Sequence, residues 1–144
     1  MEQVLVNIPS NPLFERVVRA STDEMGQAMG LNSDRIADLK LAVSEAVNNA
    51  IEHGNQLQAS KLVEVVFSLD KDKLEVRIRD EGTEGPTIDF SPHVVEDHNL
   101  EVGMHRGFGM YLIRALVDHC EVRPSQEGTT LILQVYREGQ GNGE

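Results

Sequence analysis

Apolar residues occupy every second position of residues 4–8, so this segment is predicted to form a short strand that ends at Pro9. The period then changes to the spacing of an amphipathic helix over 12–30 and again over 33–52, where Asn32 is a suitable N-cap. The first part of the chain is therefore predicted to fold as one strand followed by two helices.

The alternating period returns at 63–69 and 74–78, and the polar positions of this predicted hairpin indicate one solvated face. Apolar residues at helical spacing over 108–119 predict a third helix, and two closing strands are predicted at 120–123 and 129–136. Strands of a parallel sheet covered on both faces would be continuously apolar. The pattern therefore favours an α+β fold, a two-layer α/β sandwich.

Between these elements, residues 80–106 show no sustained period. A connection of this length within a compact domain is usually functional or disordered. We expect residues 1–137 to form a single domain and residues 138–144 to be a disordered polar tail.

Composition narrows the class of partner. The 144 residues carry a formal net charge of −11, which disfavours direct nucleic-acid binding and favours a basic protein partner. No apolar run is long enough to span a membrane, so we expect a soluble, cytoplasmic protein. The single cysteine, Cys120, cannot form an internal disulfide, and we expect a half-buried thiol without a metal.

Polar residues on the second helix provide the first candidate chemistry. Glu45, Asn49 and His53 are spaced four residues apart, and each step rotates the side chain by only about 40°. They are predicted to form one column, with the burial of the helix supplied by Ile36, Leu39, Val43, Ala46, Val47 and Ala50. The column is either a solvated face or part of a chemical site.

Two later motifs favour a chemical site. The carboxylate of Asp80 can accept a hydrogen bond from an exocyclic amine, and Gly82 allows close approach of a flat ligand, although Asp with Gly is also common in turns. Gly107 and Gly109 lead into the third helix, where backbone N–H groups and the helix dipole suit a di- or triphosphate. The sequence contains neither a P-loop nor a Rossmann fingerprint.

Five elements follow one another in the chain: Glu45, Asn49, Asp80-x-Gly82, Gly107-x-Gly109-x-x-Leu112 and Gly128-Thr129-Thr130. Their order resembles the signature of the GHKL ATPases. The sequence motif at residues 43–54 and the chain length resemble those of the bacterial anti-sigma factor serine/threonine-protein kinases. This resemblance runs over nearly the full length. It implies a Bergerat (histidine-kinase-like ATPase) fold, a mixed, mainly antiparallel sheet with helices on one face, and ATP under a lid at about 83–106.

The resemblance also implies residue roles. Glu45 corresponds to the general base that accepts the proton of a serine hydroxyl, Asn49 to the Mg²⁺ ligand, and Asp80 to the residue that binds the adenine amino group. Further ATP contacts are implied for His53, Gly82, His105, Arg106, Gly107, Phe108, Gly109, Thr129 and Thr130. His53 has a second reading as a helix cap. Arg16 corresponds to an arginine that contacts protein partners, the alternative being a solvated helix charge.

The lid differs from the sporulation-type relatives. Residues 96–101 replace a Thr-Thr-Lys stretch, which leaves His105 and Arg106 as the candidate cationic pair. His93, His98 and His105 have poor spacing for a metal site, and we do not assign one to them.

The resemblance implies a kinase that uses ATP and Mg²⁺, binds a sigma factor, phosphorylates a serine of an anti-anti-sigma (STAS) protein and forms a homodimer. An alternative is a regulatory binding module that uses ATP only to set its shape. A third reading, the catalytic module of a two-component histidine kinase, requires a phosphoacceptor helical hairpin that the pattern does not predict.

Overall fold

The computed structural model describes residues 1–82, 93–94 and 107–137. Most of the predicted lid and the predicted tail lie outside the described residues. The strands are β1 (Glu2–Pro9), β2 (Leu62–Leu69), β3 (Lys73–Arg79), β4 (His93–Val94), β5 (His119–Ser125) and β6 (Gly128–Tyr136). They form one sheet in the order β1-β2-β3-β6-β5-β4, and every described pair is antiparallel.

Three helices accompany this sheet: α1 (Glu15–Met29), α2 (Ser33–Asn49) and α3 (Gly107–Leu116). The side chain of Asn32 caps α2 by accepting a hydrogen bond of 2.8 Å from the backbone N–H of Arg35. Gly30 ends α1 with a φ of 85°, a left-handed conformation that glycine adopts without steric cost. These are the cap positions predicted from the sequence.

One face of the sheet packs against the helices. The core between the sheet and the helices consists of apolar residues that alternate along the strands and recur at helical spacing along the helices. They include Val63, Val65, Phe67, Leu74, Val76, Ile78, Leu131, Leu133, Val135, Leu39, Val43, Val47, Met110 and Ile113. The α+β sandwich with helices on one face is confirmed.

The other face of the sheet, here called the open face, carries polar side chains as the hairpin pattern predicted. Glu75 lies there and accepts hydrogen bonds from Arg77 Nε (2.7 Å) and Gln134 Nε2 (2.8 Å). Burial by itself raises the pKa of Glu75, but these two bonds outweigh it and leave the pKa below its ordinary value. A cavity of about 350 Å³ lies on this face and is lined in part by Glu64 and Arg79.

Two predicted details are wrong. The third helix ends at Leu116, and His119 begins β5 instead of completing the helix. The chain joins the sheet because the Asp118 N–H donates to the Gln134 carbonyl (3.0 Å), which replaces a helical hydrogen bond. Cys120 is fully buried rather than half-buried, and burial raises the pKa of its thiol to about 12. Within the described residues, no helix is both long and apolar enough to cross a membrane.

Candidate functional site

The first two residues of the predicted polar column lie on α2. Glu45 is half-buried, and Asn49, four residues later, is 6% exposed. Residues at this spacing are neighbours on one side of an α-helix. The apolar residues predicted to hold the helix are all buried: Ile36, Leu39, Val43, Ala46, Val47 and Ala50. The interior packing therefore fixes the direction in which Glu45 and Asn49 point.

A wider turn, Ala50–Gly54, continues α2. Its defining bond runs from the Asn55 N–H to the Ala50 carbonyl (2.8 Å), an i to i+5 pattern that is rare and frequent at functional sites. The α-helical period consequently ends at Asn49. His53 lies within the wide turn, out of register with the predicted column, and its side chain is exposed.

The amide of Asn49 has an unmet polar requirement. Its Nδ2 atom is buried and has no hydrogen-bond partner among the described residues. Leaving a buried polar atom unpaired costs about 1–3 kcal/mol, so such atoms in native proteins call for an explanation. Rotation of the amide by 180° would place Oδ1 in the same position, where it could bind a hard cation. Asn49 therefore fits the role of a Mg²⁺ ligand.

Asp80 follows β3 and is only 2% exposed. Its Oδ1 accepts hydrogen bonds from the backbone N–H groups of Gly82 (3.0 Å) and Thr129 (3.1 Å), and its own N–H donates to the Thr129 carbonyl (3.0 Å). The carboxylate is thus oriented by backbone on both sides. An oriented carboxylate at a strand end can accept a hydrogen bond from a ligand amine.

Two glycines bring Asp80 against the end of the wide turn. A Cβ at Gly54 would overlap the Asp80 carboxylate, and a Cβ at Gly82 would overlap the Gly54 carbonyl. The structure therefore gives Gly82 a packing role, in addition to the ligand approach for which the sequence suggested it. The turn that follows Asn49, the loop after β3 and the start of β6 meet at this point.

Thr129 and Thr130 face opposite sides of the sheet because side chains alternate along a strand. Leu131 and Leu133 of β6 face the helices, whereas Thr130 lines the cavity on the open face with Arg79. The Thr130 side chain thus lies on the face away from the helices and is not brought beside the Asp80 carboxylate, and its ATP contact stays a prediction. Thr129 remains beside Asp80 through its backbone.

The third predicted motif is described only by its backbone. Helix α3 begins at Gly107, as the glycine pattern predicted, and Met110 and Ile113 bury it in the core. For residues 107–109 only the backbone is described, so nothing follows about the Phe108 side chain, and His105 and Arg106 lie outside the described residues. Across the ranges that are described, no group of three or more His, Cys, Asp or Glu side chains could hold a metal.

Helix α1 places Arg16 on the surface. Its neighbour Glu15 points the other way, is buried, and accepts a hydrogen bond from the hydroxyl of Ser44, the residue before Glu45. Arg19 approaches the Glu15 carboxylate at 3.7 Å. Sequence analysis missed this link between α1 and α2, because nothing local distinguishes Glu15 from a solvated glutamate.

Sequence analysis also missed Asn55. This residue is fully buried, and its side chain donates to Ser10 and accepts from the backbone N–H of Glu81. Its position directly after the His53-Gly54 pair is the one sequence signal that could have drawn attention to it.

Comparison with known proteins agrees with this geometry. A family model described as a histidine kinase-like ATPase domain matches residues 8–135. The serine-protein kinase RsbW of Bacillus velezensis is 31% identical over an alignment of 144 positions, which covers 97% of this chain and 89% of the relative. The serine-protein kinase RsbW of Bacillus subtilis is 29% identical, over 96% and 88% of the two chains.

A solved structure shares the fold. The structure of the RsbU and RsbW domains of Rv1364c from Mycobacterium tuberculosis superposes with a TM-score of 0.67 at 22% identity. The match covers 94% of this chain and 32% of that longer chain.

Proposed function

The chain belongs to the histidine kinase-like ATPase family and, within it, to the serine-protein kinases RsbW, and from this membership we propose that it phosphorylates a serine of an anti-anti-sigma (STAS) protein and also binds a sigma factor. It is thus a protein-serine kinase that uses ATP. The observation that carries the proposal is that half-buried Glu45 and Asn49, whose amide nitrogen has no hydrogen-bond partner among the described residues, lie on one side of α2.

Glu45 is the proposed general base. A carboxylate in this position can accept the proton of the serine hydroxyl as the oxygen attacks phosphorus. Its half-buried setting on a packed helix keeps the carboxylate in a fixed direction while leaving it accessible to a partner's side chain.

Asn49 would hold Mg²⁺ through its amide oxygen. ATP would supply the phosphoryl group, and Mg²⁺ would offset the negative charge on that group. Asp80 would bind the adenine amino group, with Gly82 and the backbone of Thr129 fixing the carboxylate. The phosphates would lie at the N-terminus of α3 (Gly107, Phe108 and Gly109), where the helix dipole favours anions. His53, His105 and Arg106 are further candidates for phosphate contacts. His53 follows Asn49 by four residues, and His105 and Arg106 directly precede Gly107.

Substitution of the base tests the mechanism. Glu45→Ala is expected to lower phosphoryl transfer by about a hundredfold or more, because proton acceptance is lost, and to leave the Kd for Mg²⁺·ATP within about threefold. ATP affinity is measured by calorimetry and transfer by the phosphoserine formed. Glu52→Ala, which removes an exposed glutamate from the adjoining turn, is the matched control. Phosphoryl transfer at the wild-type rate by Glu45→Ala would contradict the role of Glu45 as the base.

Arg16 is the proposed partner contact. It is exposed on α1, and the exposed apolar residues Leu13 and Val17 flank it. Arginine is one of the residue types enriched among those that contribute most to protein–protein binding. The net charge of −11 additionally favours a sigma factor with basic regions.

We also propose that the protein is a homodimer and acts in the bacterial cytoplasm, where both partners act. Support for the dimer comes from the edge strand β1, in which Leu5 is 59% exposed on the open face. An edge strand presents unpaired backbone groups that a second copy could cover.

A further inference from the structure

Asn55 takes no part in the proposed chemistry, yet it is one of the few fully buried polar residues in the described part of the chain. Its side-chain amide uses both of its functions. The Nδ2 atom donates to Ser10 Oγ (2.8 Å) and to the Leu62 carbonyl (3.1 Å), and Oδ1 accepts from the Glu81 N–H (2.7 Å). One side chain therefore joins the end of β1, the start of β2 and the loop after β3.

The backbone of Asn55 is equally constrained. Its N–H closes the wide turn on the Ala50 carbonyl (2.8 Å), and its carbonyl accepts from the Gln58 N–H (3.0 Å). Because Ala50 directly follows Asn49, this bond ties Asn55 to the segment that carries the proposed Mg²⁺ ligand. Asn55 is therefore rigidly connected to α2.

The residue held by Asn55 is the neighbour of Asp80. The N–H of Glu81 is fixed by Asn55, and the Glu81 carboxylate accepts from the Leu62 N–H (2.6 Å). The other side of Asp80 is fixed by β6, since its N–H donates to the Thr129 carbonyl (3.0 Å). The N–H groups of both Asp80 and Glu81 therefore have a fixed hydrogen-bond partner. Thr129 supplies the partner for Asp80, and Asn55 supplies the partner for Glu81.

We propose that Asn55 is a positioning residue that orients Asp80 for the exocyclic amine of the nucleotide base, and thereby sets the preference of the site for a 6-aminopurine. This inference rests on the proposed function, in which Asp80 binds adenine. Binding groups must be held within about 0.5 Å of the productive geometry by their supporting residues. Loss of the Glu81 anchor would let the Asp80 loop shift relative to the Gly54 end of the turn, against which it packs without space to spare.

The test compares the binding of Mg²⁺·ATP with that of the Mg²⁺ complex of purine ribonucleoside triphosphate, which lacks the 6-amino group. The wild-type protein is expected to bind ATP at least about tenfold more tightly, the usual effect of one hydrogen bond to a charged group. Asn55→Ala should reduce this ratio to about threefold or less by weakening ATP binding, with the affinity for the purine nucleotide nearly unchanged.

Two further variants separate positioning from general stability. Ser10→Ala removes a partner of Asn55 Nδ2 but leaves the Glu81 anchor in place, so it should lower the melting temperature and keep the wild-type ratio. Asn55→Asp keeps an acceptor for the Glu81 N–H and should retain more of the ratio than Asn55→Ala. It also gives the answer if the alanine variant does not fold.

Each outcome has a distinct meaning. A wild-type ratio in folded Asn55→Ala, or an equal loss of the ratio in Ser10→Ala, would overturn the positioning role while leaving Asp80 as the adenine contact. Absence of discrimination in the wild-type protein would instead contradict the proposed role of Asp80, and the inference about Asn55 would fail with it.

Discussion

At the scale of single residues, one short path joins the proposed base, Glu45, to the proposed partner contact, Arg16. Glu15 is the first residue of α1 and accepts a hydrogen bond from the hydroxyl of Ser44, which precedes Glu45 in the chain. Arg16 is next to Glu15 in the chain but points to solvent. A partner that binds Arg16 would therefore contact α1, which is linked through Glu15 and Ser44 to the part of α2 that carries Glu45.

Arg16 provides the prediction at this scale. Arg16→Ala is expected to raise the Kd for the anti-anti-sigma substrate about tenfold or more, because an exposed arginine is a residue type enriched among binding hot spots. The Kd is measured by calorimetry with purified partner. Arg19→Ala removes the same charge one turn along the same helix and is expected to have the smaller effect. Equal effects of the two variants would show that only charge matters.

Individual site residues were predictable to different degrees. Glu45 and Asn49 could be predicted because helical spacing places them on one side, and Asp80 and Gly82 because a carboxylate with glycine has a recognisable local pattern. The face on which Thr130 lies could not be predicted, since its direction depends on the register of β6 against β3, which the local sequence does not encode. Asn55 was missed because all three of its side-chain partners are distant or unremarkable in sequence.

At the scale of elements, periodicity predicted the order and type of the three helices and of five strands, but not the two-residue strand β4 within 80–106. It did not predict the wide turn Ala50–Gly54, because this turn differs from an α-helix by its hydrogen bonds and not by its residue types. The end of α3 was also misplaced. The apolar spacing continues past Leu116, but the chain leaves the helix where Asp118 finds partners in other elements.

Asp118 gives a test of that explanation. Its Oδ2 accepts from the Tyr136 N–H (2.7 Å) and from Arg35 Nη2 (2.8 Å), so it ties the α3–β5 junction to both β6 and α2. Asp118→Ala is expected to lower the free energy of unfolding by about 1 kcal/mol, a modest value because the side chain is partly exposed.

Denaturant unfolding measures this change. Asp38→Ala, which removes an exposed carboxylate from α2, is the matched control and should have little effect. If both variants unfold at the same denaturant concentration as the wild type, Asp118 does not anchor the junction.

At the scale of the whole molecule, the two faces of the sheet differ in composition and in what they contact. The helix face builds the core and the candidate site. The open face carries acidic and basic residues together, namely Glu64, Glu75, Arg77, Arg79, Glu121 and Arg123, with Leu5 and Val66 paired on it. This mixture of signs contrasts with the net charge of −11, so a second copy meets less repulsion here than the net charge suggests.

The dimer proposal predicts that Leu5→Glu shifts the protein from dimer to monomer. The substitution would place a charge in an apolar part of the interface. Light scattering during gel filtration gives the mass directly. Leu57→Glu changes a leucine of similar exposure (56% against 59%) in the turn after α2 and should remain dimeric. A wild-type monomer, or a Leu5→Glu dimer of unchanged stability, would exclude this face.

The most direct test of the central claim is the intact mass of a candidate anti-anti-sigma protein after its incubation with this protein, ATP and Mg²⁺. The account predicts that the substrate gains one phosphoryl group with the wild-type protein and with Glu52→Ala, and none with Glu45→Ala. A stable complex of the two proteins with no gain in mass would contradict the account, and would identify a binding module that uses ATP only to set its shape.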